Sequence, residues 1–187
     1  MRRTGRVSVK RWNTLLKFLV ILPVTLLFCF SPALSAAEDF VKIPADATAK
    51  NLEGKVVSLA DYKGKLLFLN IWKTDCFPCL LEIPILNRLQ KEYASDDFSI
   101  IGISVDRGKN KFVGDLVEKA KINYPVWLAY GEPILKYIEP PLTPFLLVVG
   151  PEGEVLGYVP GKIPSYDDAV VVMNQARDLI AEQKKQK

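Results

Sequence analysis

Apolar residues along this 187-residue chain occur in two patterns: short uninterrupted runs, and longer stretches in which they recur every three or four positions. Short runs bounded by turn-forming residues are typical of buried β-strands, and the wider spacing is typical of amphipathic helices. The runs predict strands at residues 66–71, 98–105, 124–128, 145–149 and 154–159. The spaced stretches predict helices at about 76–93, 109–120 and 132–138, and from Ser165 towards the C-terminus.

The connections between these elements predict how the strands pair. Residues 66–105 alternate strand, helix and strand, which implies a parallel pair. The turn at residues 150–153 is short enough to join the last two strands in antiparallel orientation. A second turn, at residues 51–55, predicts a short hairpin before the first buried strand. The predicted fold class is therefore α/β, with a mixed central sheet flanked by helices and an N-terminal hairpin extension.

The first 37 residues follow a different pattern from the rest of the chain. Six basic residues precede an uncharged apolar run from about residue 18 to residue 37. This order is that of a secretory signal, but roughly 20 apolar residues can also span a bilayer. Residues 1–37 are therefore either a cleaved signal peptide or a retained N-terminal membrane anchor, and 38–187 form one folded domain. Both alternatives predict export, to the periplasm or another extracytoplasmic face of the membrane.

Charge and composition exclude several classes of function. The N-terminal segment has no acidic residues, so without it the net charge is −2 rather than the +4 of the whole chain. The positive net charge of the whole chain therefore comes from the N-terminal segment and is no reason to expect a nucleic-acid partner. The chain has no histidine, and Cys29 lies in the apolar run, which leaves only Cys76 and Cys79 in the domain. Structural zinc needs about four Cys or His ligands and catalytic zinc about three, so we predict no metal site. Serine and cysteine hydrolases that need a catalytic histidine are excluded because the chain has none.

The two remaining cysteines are separated by two residues and follow a buried strand. The helical spacing after them places Cys76 at the start of a helix. Unpaired amide N–H groups and the helix dipole at that position stabilise a thiolate, the form that attacks disulfides. A purely structural disulfide closing so short a loop would stabilise the fold little, so thiol–disulfide chemistry is the preferred interpretation. Asp75, directly before Cys76, acts against the thiolate because like charges repel.

A wider set of motifs accompanies the cysteine pair. They are the 51–59 turn region with Tyr62-Lys63-Gly64-Lys65, Asn70-Ile71-Trp72, Cys76-Phe77-Pro78-Cys79 with Glu82 and Pro84, Thr143-Pro144 before a strand and Pro151-Glu152-Gly153 after it. With these motifs in this order, residues 40–183 resemble thioredoxin-fold redoxins of the TlpA/ResA-like group of exported thiol–disulfide oxidoreductases. A lone C-x-x-C pair is a weak signal, whereas five collinear elements are specific.

The resemblance implies catalytic roles for three residues. Cys76 would attack a client disulfide, and Cys79 would resolve the mixed disulfide that results. Glu82, one helical turn past Cys79, matches a glutamate of the group and could take the proton of the second thiol. The alternative for Glu82 is a solvent-exposed helix carboxylate with no role in the reaction.

The resemblance also implies a client-binding surface. Pro144 matches a proline that in such proteins follows a cis peptide bond and faces the cysteine pair. The Thr143 backbone would then hydrogen-bond an extended client chain, as a strand added to a sheet edge does. Trp72, directly before the cysteine loop, is a further predicted substrate-binding residue.

No organic cofactor is implied, and the expected partners are client proteins with disulfides or thiols and a membrane thiol–disulfide electron donor. The resemblance suggests cytochrome c maturation as a setting.

Two other classes of function stay open. Peroxiredoxins place a threonine three residues before their reactive cysteine and a proline four before that, where this chain has Lys73 and Leu69. Two thiolates also suit delivery of Cu(I), although related copper proteins add a histidine.

Overall fold

A computed structural model describes residues 41–44, 46–95, 97–138 and 140–186, without the side chain of Gln186. The strands are β1 Thr48–Asn51, β2 Val56–Ser58, β3 Leu66–Trp72, β4 Phe98–Ser104, β5 Val126–Leu128, β6 Phe145–Val149 and β7 Val155–Pro160. The helices are α1 Phe77–Tyr93, α2 Asn110–Lys119, α3 Leu135–Ile138 and α4 Tyr166–Gln186, with a short 3₁₀ helix at Leu59–Tyr62. The predicted signal peptide or anchor at 1–37 lies outside the described residues and stays a prediction.

The strands of the described residues form one mixed sheet in the order β2-β1-β5-β4-β3-β6-β7. Strands β3, β4 and β5 are parallel to one another, and the remaining neighbours pair antiparallel. All seven residues of β3 and all seven of β4 are buried, which explains why their sequences are largely apolar, with only the polar side chains of Asn70, Ser99 and Ser104, rather than alternating. The predicted fold class and the N-terminal hairpin, β1 and β2, are confirmed.

Each face of the sheet is covered by its own apolar layer. Phe68 and Trp72 of β3 point to the layer that contains the buried faces of α1 and α4. Leu67, Leu69 and Ile71 point to the opposite layer, with α3 and the 3₁₀ helix. Alternation along β3 thus fixes which side chains meet the helix that carries the cysteines.

Some element boundaries differ from those that the sequence predicts, and prolines account for two of them. Strand β5 begins at Val126 rather than residue 124, directly after Pro125, which has no N–H to donate to the sheet. Helix α3 begins at Leu135, after Pro133. The second strand of the predicted hairpin ends at Ser58, because Ser58 caps the 3₁₀ helix by accepting a hydrogen bond from the Ala60 N–H.

The C-terminal helix begins where the sequence indicates. The Asp168 N–H donates to Ser165 Oγ at 3.2 Å, and the Ser165 hydroxyl donates to the Asp168 carboxylate at 2.7 Å. Between residues 41 and 186, positions 45, 96 and 139 aside, no helix has the length and apolarity required to cross a bilayer.

Candidate active site

The end of β3 and the start of α1 bring the two cysteines together. Cys76 is the N-cap of α1, and its Sγ accepts a hydrogen bond from the Cys79 N–H at 3.3 Å. Pro78 fits the first turn because N–H groups there have no partner within the helix. Cys76 and Cys79 form a disulfide, with their Cα atoms 5.3 Å apart. The predicted position of Cys76 at a helix start is confirmed.

The two cysteines differ in exposure. Cys76 is half-buried, whereas Cys79 is only 1% exposed and belongs to the core layer between the sheet and α1. Phe77, between them in sequence, is exposed at the surface. A second protein can therefore reach Cys76 directly but not Cys79.

We expect Cys76 to react with iodoacetamide at least about tenfold faster than Cys79 in the reduced, folded protein, because only Cys76 combines exposure with a helix N-terminus. A short pulse of reagent followed by peptide mass spectrometry measures both rates. In urea, where burial is lost, the two rates should converge. Faster labelling of Cys79 in the folded protein would reverse the assignment.

Glu82 lies one turn beyond Cys79 on α1 and is 1% exposed. The alternative of a solvent-exposed helix carboxylate is therefore wrong. Glu82 Oε1 accepts a hydrogen bond from the Ile163 N–H at 2.7 Å, and Oε2 has no hydrogen-bond partner among the described residues. Burial raises the pKa of Glu82 from an ordinary 4.5 to about 7, against the lowering effects of the Ile163 bond and the Lys162 charge. The carboxyl can thus gain or lose a proton near neutral pH.

Other polar groups are buried close to Glu82. Burial and the charge of Glu82 raise the pKa of Tyr124, and a hydrogen bond with the Asn70 side chain opposes the increase. Within the described part of the chain, Asn70 Oδ1 and Trp72 Nε1 have no hydrogen-bond partner. Tyr124 could not be recognised as part of the site from the sequence, because a tyrosine beside a strand usually serves only as an apolar core residue.

Trp72 is 2% exposed, so little of its ring is available to a client. Its indole Nε1 approaches β4 at Gly102, where a Cβ atom would lie 3.2 Å from it. The observed surroundings of Trp72 are the core layer of α1 and α4. Its predicted part in substrate binding stays a prediction.

The loop before β6 contains the other predicted client-binding residues. The Thr143–Pro144 peptide bond is cis, as the resemblance implies. Pro144 is buried and Thr143 is half-buried. Because Phe145 pairs with Ile71, Pro144 lies at the end of the sheet where β3 leads into the cysteine loop. The contact of Pro144 with the cysteine pair and the role of Thr143 stay predictions.

The exposed side chain of Asp75, next to Cys76, forms an ion pair with Lys109 at 3.4 Å. Exposed ion pairs of this kind contribute about 0–1 kcal/mol to stability. The Asp75 side chain stays largely solvated in this pair. Across residues 41–186, omitting positions 45, 96 and 139, no three His, Cys, Asp or Glu side chains come together as a metal site would require. The predicted absence of a metal and of a cofactor stays an expectation.

Comparison with known proteins agrees with this arrangement. The profile of the AhpC/TSA family matches residues 41–135. The thiol-disulfide oxidoreductase ResA of Bacillus subtilis (strain 168) is 30% identical over 146 residues, which cover 76% of this chain and 81% of ResA. ResA of Bacillus thuringiensis subsp. konkukian (strain 97-27) is 32% identical over 112 residues, or 60% of this chain. That alignment spans 64% of the relative's own length.

A solved structure extends the comparison to the fold. The crystal structure of a thiol:disulfide interchange protein of the thioredoxin family from Chlorobium tepidum TLS superimposes with a TM-score of 0.63 at 30% identity. The match covers 74% of this chain and 98% of that protein. The sheet order, the helix that begins at a cysteine pair and the cis-proline loop at the same sheet end define a thioredoxin-like redoxin. The chain belongs to the AhpC/TSA family and is similar to ResA proteins.

Proposed function

We propose that this protein is an extracytoplasmic thiol–disulfide oxidoreductase that reduces disulfides of client proteins through the Cys76–Cys79 pair. The observation that carries the proposal is the unequal placement of the two sulfurs: Cys76 is accessible at a helix N-terminus and Cys79 is enclosed behind it. The names of the ResA relatives agree with this activity.

The first half of the reaction takes place at Cys76. In the reduced protein the Cys76 thiolate attacks one sulfur of a client disulfide, and the client S–S bond breaks as a Cys76–client bond forms. The other client sulfur leaves as a thiolate and takes a proton from water. The helix N-terminus supports the attacking charge, because the Cys79 N–H already points at Cys76 Sγ.

The second half takes place inside the protein. The Cys79 thiol gives its proton to the Glu82 carboxylate, and the Cys79 thiolate then attacks Cys76 Sγ. The Cys76–Cys79 bond forms, the Cys76–client bond breaks, and the client leaves as a thiolate that is protonated by solvent. Two electrons have passed from the pair to the client. A base is needed here because Cys79 is shielded from water, and Glu82 titrates in the neutral range.

The loop before β6 supplies the docking surface in this proposal. Thr143 would offer backbone hydrogen bonds to an extended client segment beside Cys76, and Pro144 would shape the floor of that site. The exposed apolar side chains of Phe77 and Leu142 lie in the segments that carry the cysteines and this loop. A client strand placed here would bring its disulfide to Cys76.

The proposed electron source is a thiol–disulfide donor in the membrane. Each turnover leaves the pair oxidised, so a reductase in an oxidising compartment needs electrons from outside that compartment. Residues 1–37, as an export signal or an anchor, would bring the domain to such a donor. Reduction of the cysteines that receive haem during cytochrome c maturation is the proposed physiological setting.

We expect the Cys76–Cys79 couple to have a reduction potential nearer to about −270 mV, as in thioredoxin, than to about −120 mV, as in a strong oxidant. Phe77 and Pro78 bring no positive charge to Cys76, and Asp75 adds a negative one, so the reduced form gains limited stabilisation. Equilibration with mixtures of reduced and oxidised glutathione measures the potential. A value above about −150 mV would make the protein an oxidant and contradict the proposed direction.

Two other functions remain distinguishable by experiment. Peroxiredoxins, which reduce peroxide, resemble this fold, but Lys73 stands where those proteins have a threonine. Hydrogen peroxide consumption by the reduced protein would identify that activity. Titration of the reduced protein with Cu(I) would identify copper delivery by the two thiolates.

A further inference from the structure

A buried carboxylate holds the turn that carries Cys76. Asp106 is 6% exposed and lies just after β4. It accepts the Thr74 N–H at 3.0 Å on Oδ2 and 3.2 Å on Oδ1, and the Thr74 hydroxyl at 2.7 Å on Oδ1. The Ser104 hydroxyl donates to Oδ2 at 2.9 Å. Both carboxylate oxygens are thus engaged, and every group that contacts them is a donor.

The position of Asp106 in the sheet explains this set of contacts. Strands β3 and β4 are parallel neighbours whose last paired residues are Trp72 and Ser104. The Val105 N–H donates to the Trp72 carbonyl at 3.1 Å, so the two chains stay together past the strand ends. Thr74 and Asp106 each lie two residues beyond that last pair. The Asp106 side chain therefore ties the start of the cysteine loop to the neighbouring strand.

The hydrogen bonds between Asp106 and Thr74 act on Cys76 through a short turn. The Cys76 N–H donates to the Lys73 carbonyl at 3.3 Å, and this turn contains Thr74. A second link from the same side is the Lys109–Asp75 ion pair, although it is exposed. Hydrogen bonds to a buried charged group contribute more than an exposed ion pair does, so Asp106 is the stronger restraint.

We propose that Asp106 is a positioning residue for Cys76 and that it favours closure of the Cys76–Cys79 disulfide, an inference that rests on the proposed function. Two physical effects act in the same direction. The fixed Thr74 turn keeps Cys76 in the place where its sulfur meets that of Cys79, and this raises the effective concentration of one sulfur at the other. The carboxylate also adds a negative charge that binds Thr74, two residues before Cys76, and a negative charge near a cysteine disfavours its thiolate and therefore the reduced state.

The test compares the equilibrium between dithiol and disulfide in wild type, D106N, D106A and T74V. D106N keeps the size of the side chain but removes its charge and one acceptor, and T74V removes the hydroxyl donor while leaving the carboxylate. Each protein is equilibrated with glutathione mixtures, and the oxidised fraction is read by alkylation and mass spectrometry. Urea unfolding of the oxidised proteins reports fold stability separately.

E154Q is the matched control. Glu154 is also buried, at 7% exposure, and its Oε2 accepts the Glu152 N–H at 2.8 Å in another turn. That turn follows Val149, which pairs with Leu67 near the start of β3, so it lies at the sheet end opposite the cysteines. E154Q should lower stability without changing the redox equilibrium.

We expect the equilibrium constant for disulfide formation to fall about tenfold in D106A and D106N and about threefold in T74V. A change within about twofold of wild type in D106N and T74V would overturn the proposal, as would an equal change in E154Q. If D106A does not fold, D106N and T74V decide the outcome by the same limits. A wild-type pair that does not exchange with glutathione would instead reject the proposed function itself.

Discussion

Replacing Cys76 with serine is expected to abolish reduction of a disulfide-bonded client, lowering the rate at least about a thousandfold, because a serine hydroxyl at neutral pH is a poor nucleophile without an activating base. Replacing Cys79 with serine is expected to stop the reaction halfway. Cys76 can still attack, but no second sulfur is present to release the client. A mixed disulfide should therefore accumulate, and non-reducing electrophoresis with mass spectrometry of the adduct measures it.

The double variant C76S/C79S is the control for this pair of substitutions and should trap nothing. The free energy of unfolding should change little in either single variant, because the disulfide closes a loop of only a few residues. Loss of activity would then reflect lost chemistry rather than lost structure. Trapping of a client by C76S rather than C79S would show that the roles of the two sulfurs are reversed.

Elements with a largely apolar sequence could be predicted from the chain closely. Strands β3 and β4 are buried on both faces, so most of their side chains are apolar, and the run itself marks their length. The start of α1 could also be predicted, since an N-cap is a local feature. Strand β5 and helix α3 were placed less well, because their first residues depend on neighbouring chain segments and nearby prolines rather than on periodicity.

The candidate site, like the fold, could be predicted only where it depends on residues close in sequence. Cys76, Cys79 and Glu82 lie within seven positions of one helix, so their spacing alone predicts a shared face. The burial of Glu82 could not be predicted, because its hydrogen-bond partner Ile163 is 81 residues away. Asp106 was missed for a similar reason: its contact with Thr74 spans 32 residues and exists only because β3 and β4 are parallel neighbours.

Replacing Glu82 with glutamine is expected to change both stability and rate as a function of pH. With a pKa of about 7 in the folded protein against 4.5 as an ordinary value, Glu82 holds a proton between these pH values that the unfolded chain has released. Its contribution to stability is therefore complete below about pH 4.5 and is lost as pH rises through about 7. Relative to E82Q, the oxidised wild type should lose on the order of 3 kcal/mol across this window. Urea unfolding at a series of pH values measures the difference, and use of the disulfide form keeps the thiols out of the titration.

E92Q is the matched control on the same helix. Glu92 is exposed, and hydrogen bonds from Arg88 and Tyr166 lower its pKa, so its contribution has the opposite sign: it is present at neutral pH and is lost as pH falls. E92Q should thus leave the decline of stability up to pH 7 unchanged.

The kinetic consequence separates a proton acceptor from a merely buried carboxyl. In wild type, resolution of the mixed disulfide by Cys79 should accelerate as pH rises through about 7, because only the ionised Glu82 can accept the Cys79 proton. In E82Q that step should be about a hundredfold slower at pH 7.5 and should lose the inflection. Stopped-flow release of client from a preformed mixed disulfide measures it. An E82Q protein with the altered stability profile but a wild-type release rate would mean that Glu82 titrates within the core without taking part in the reaction.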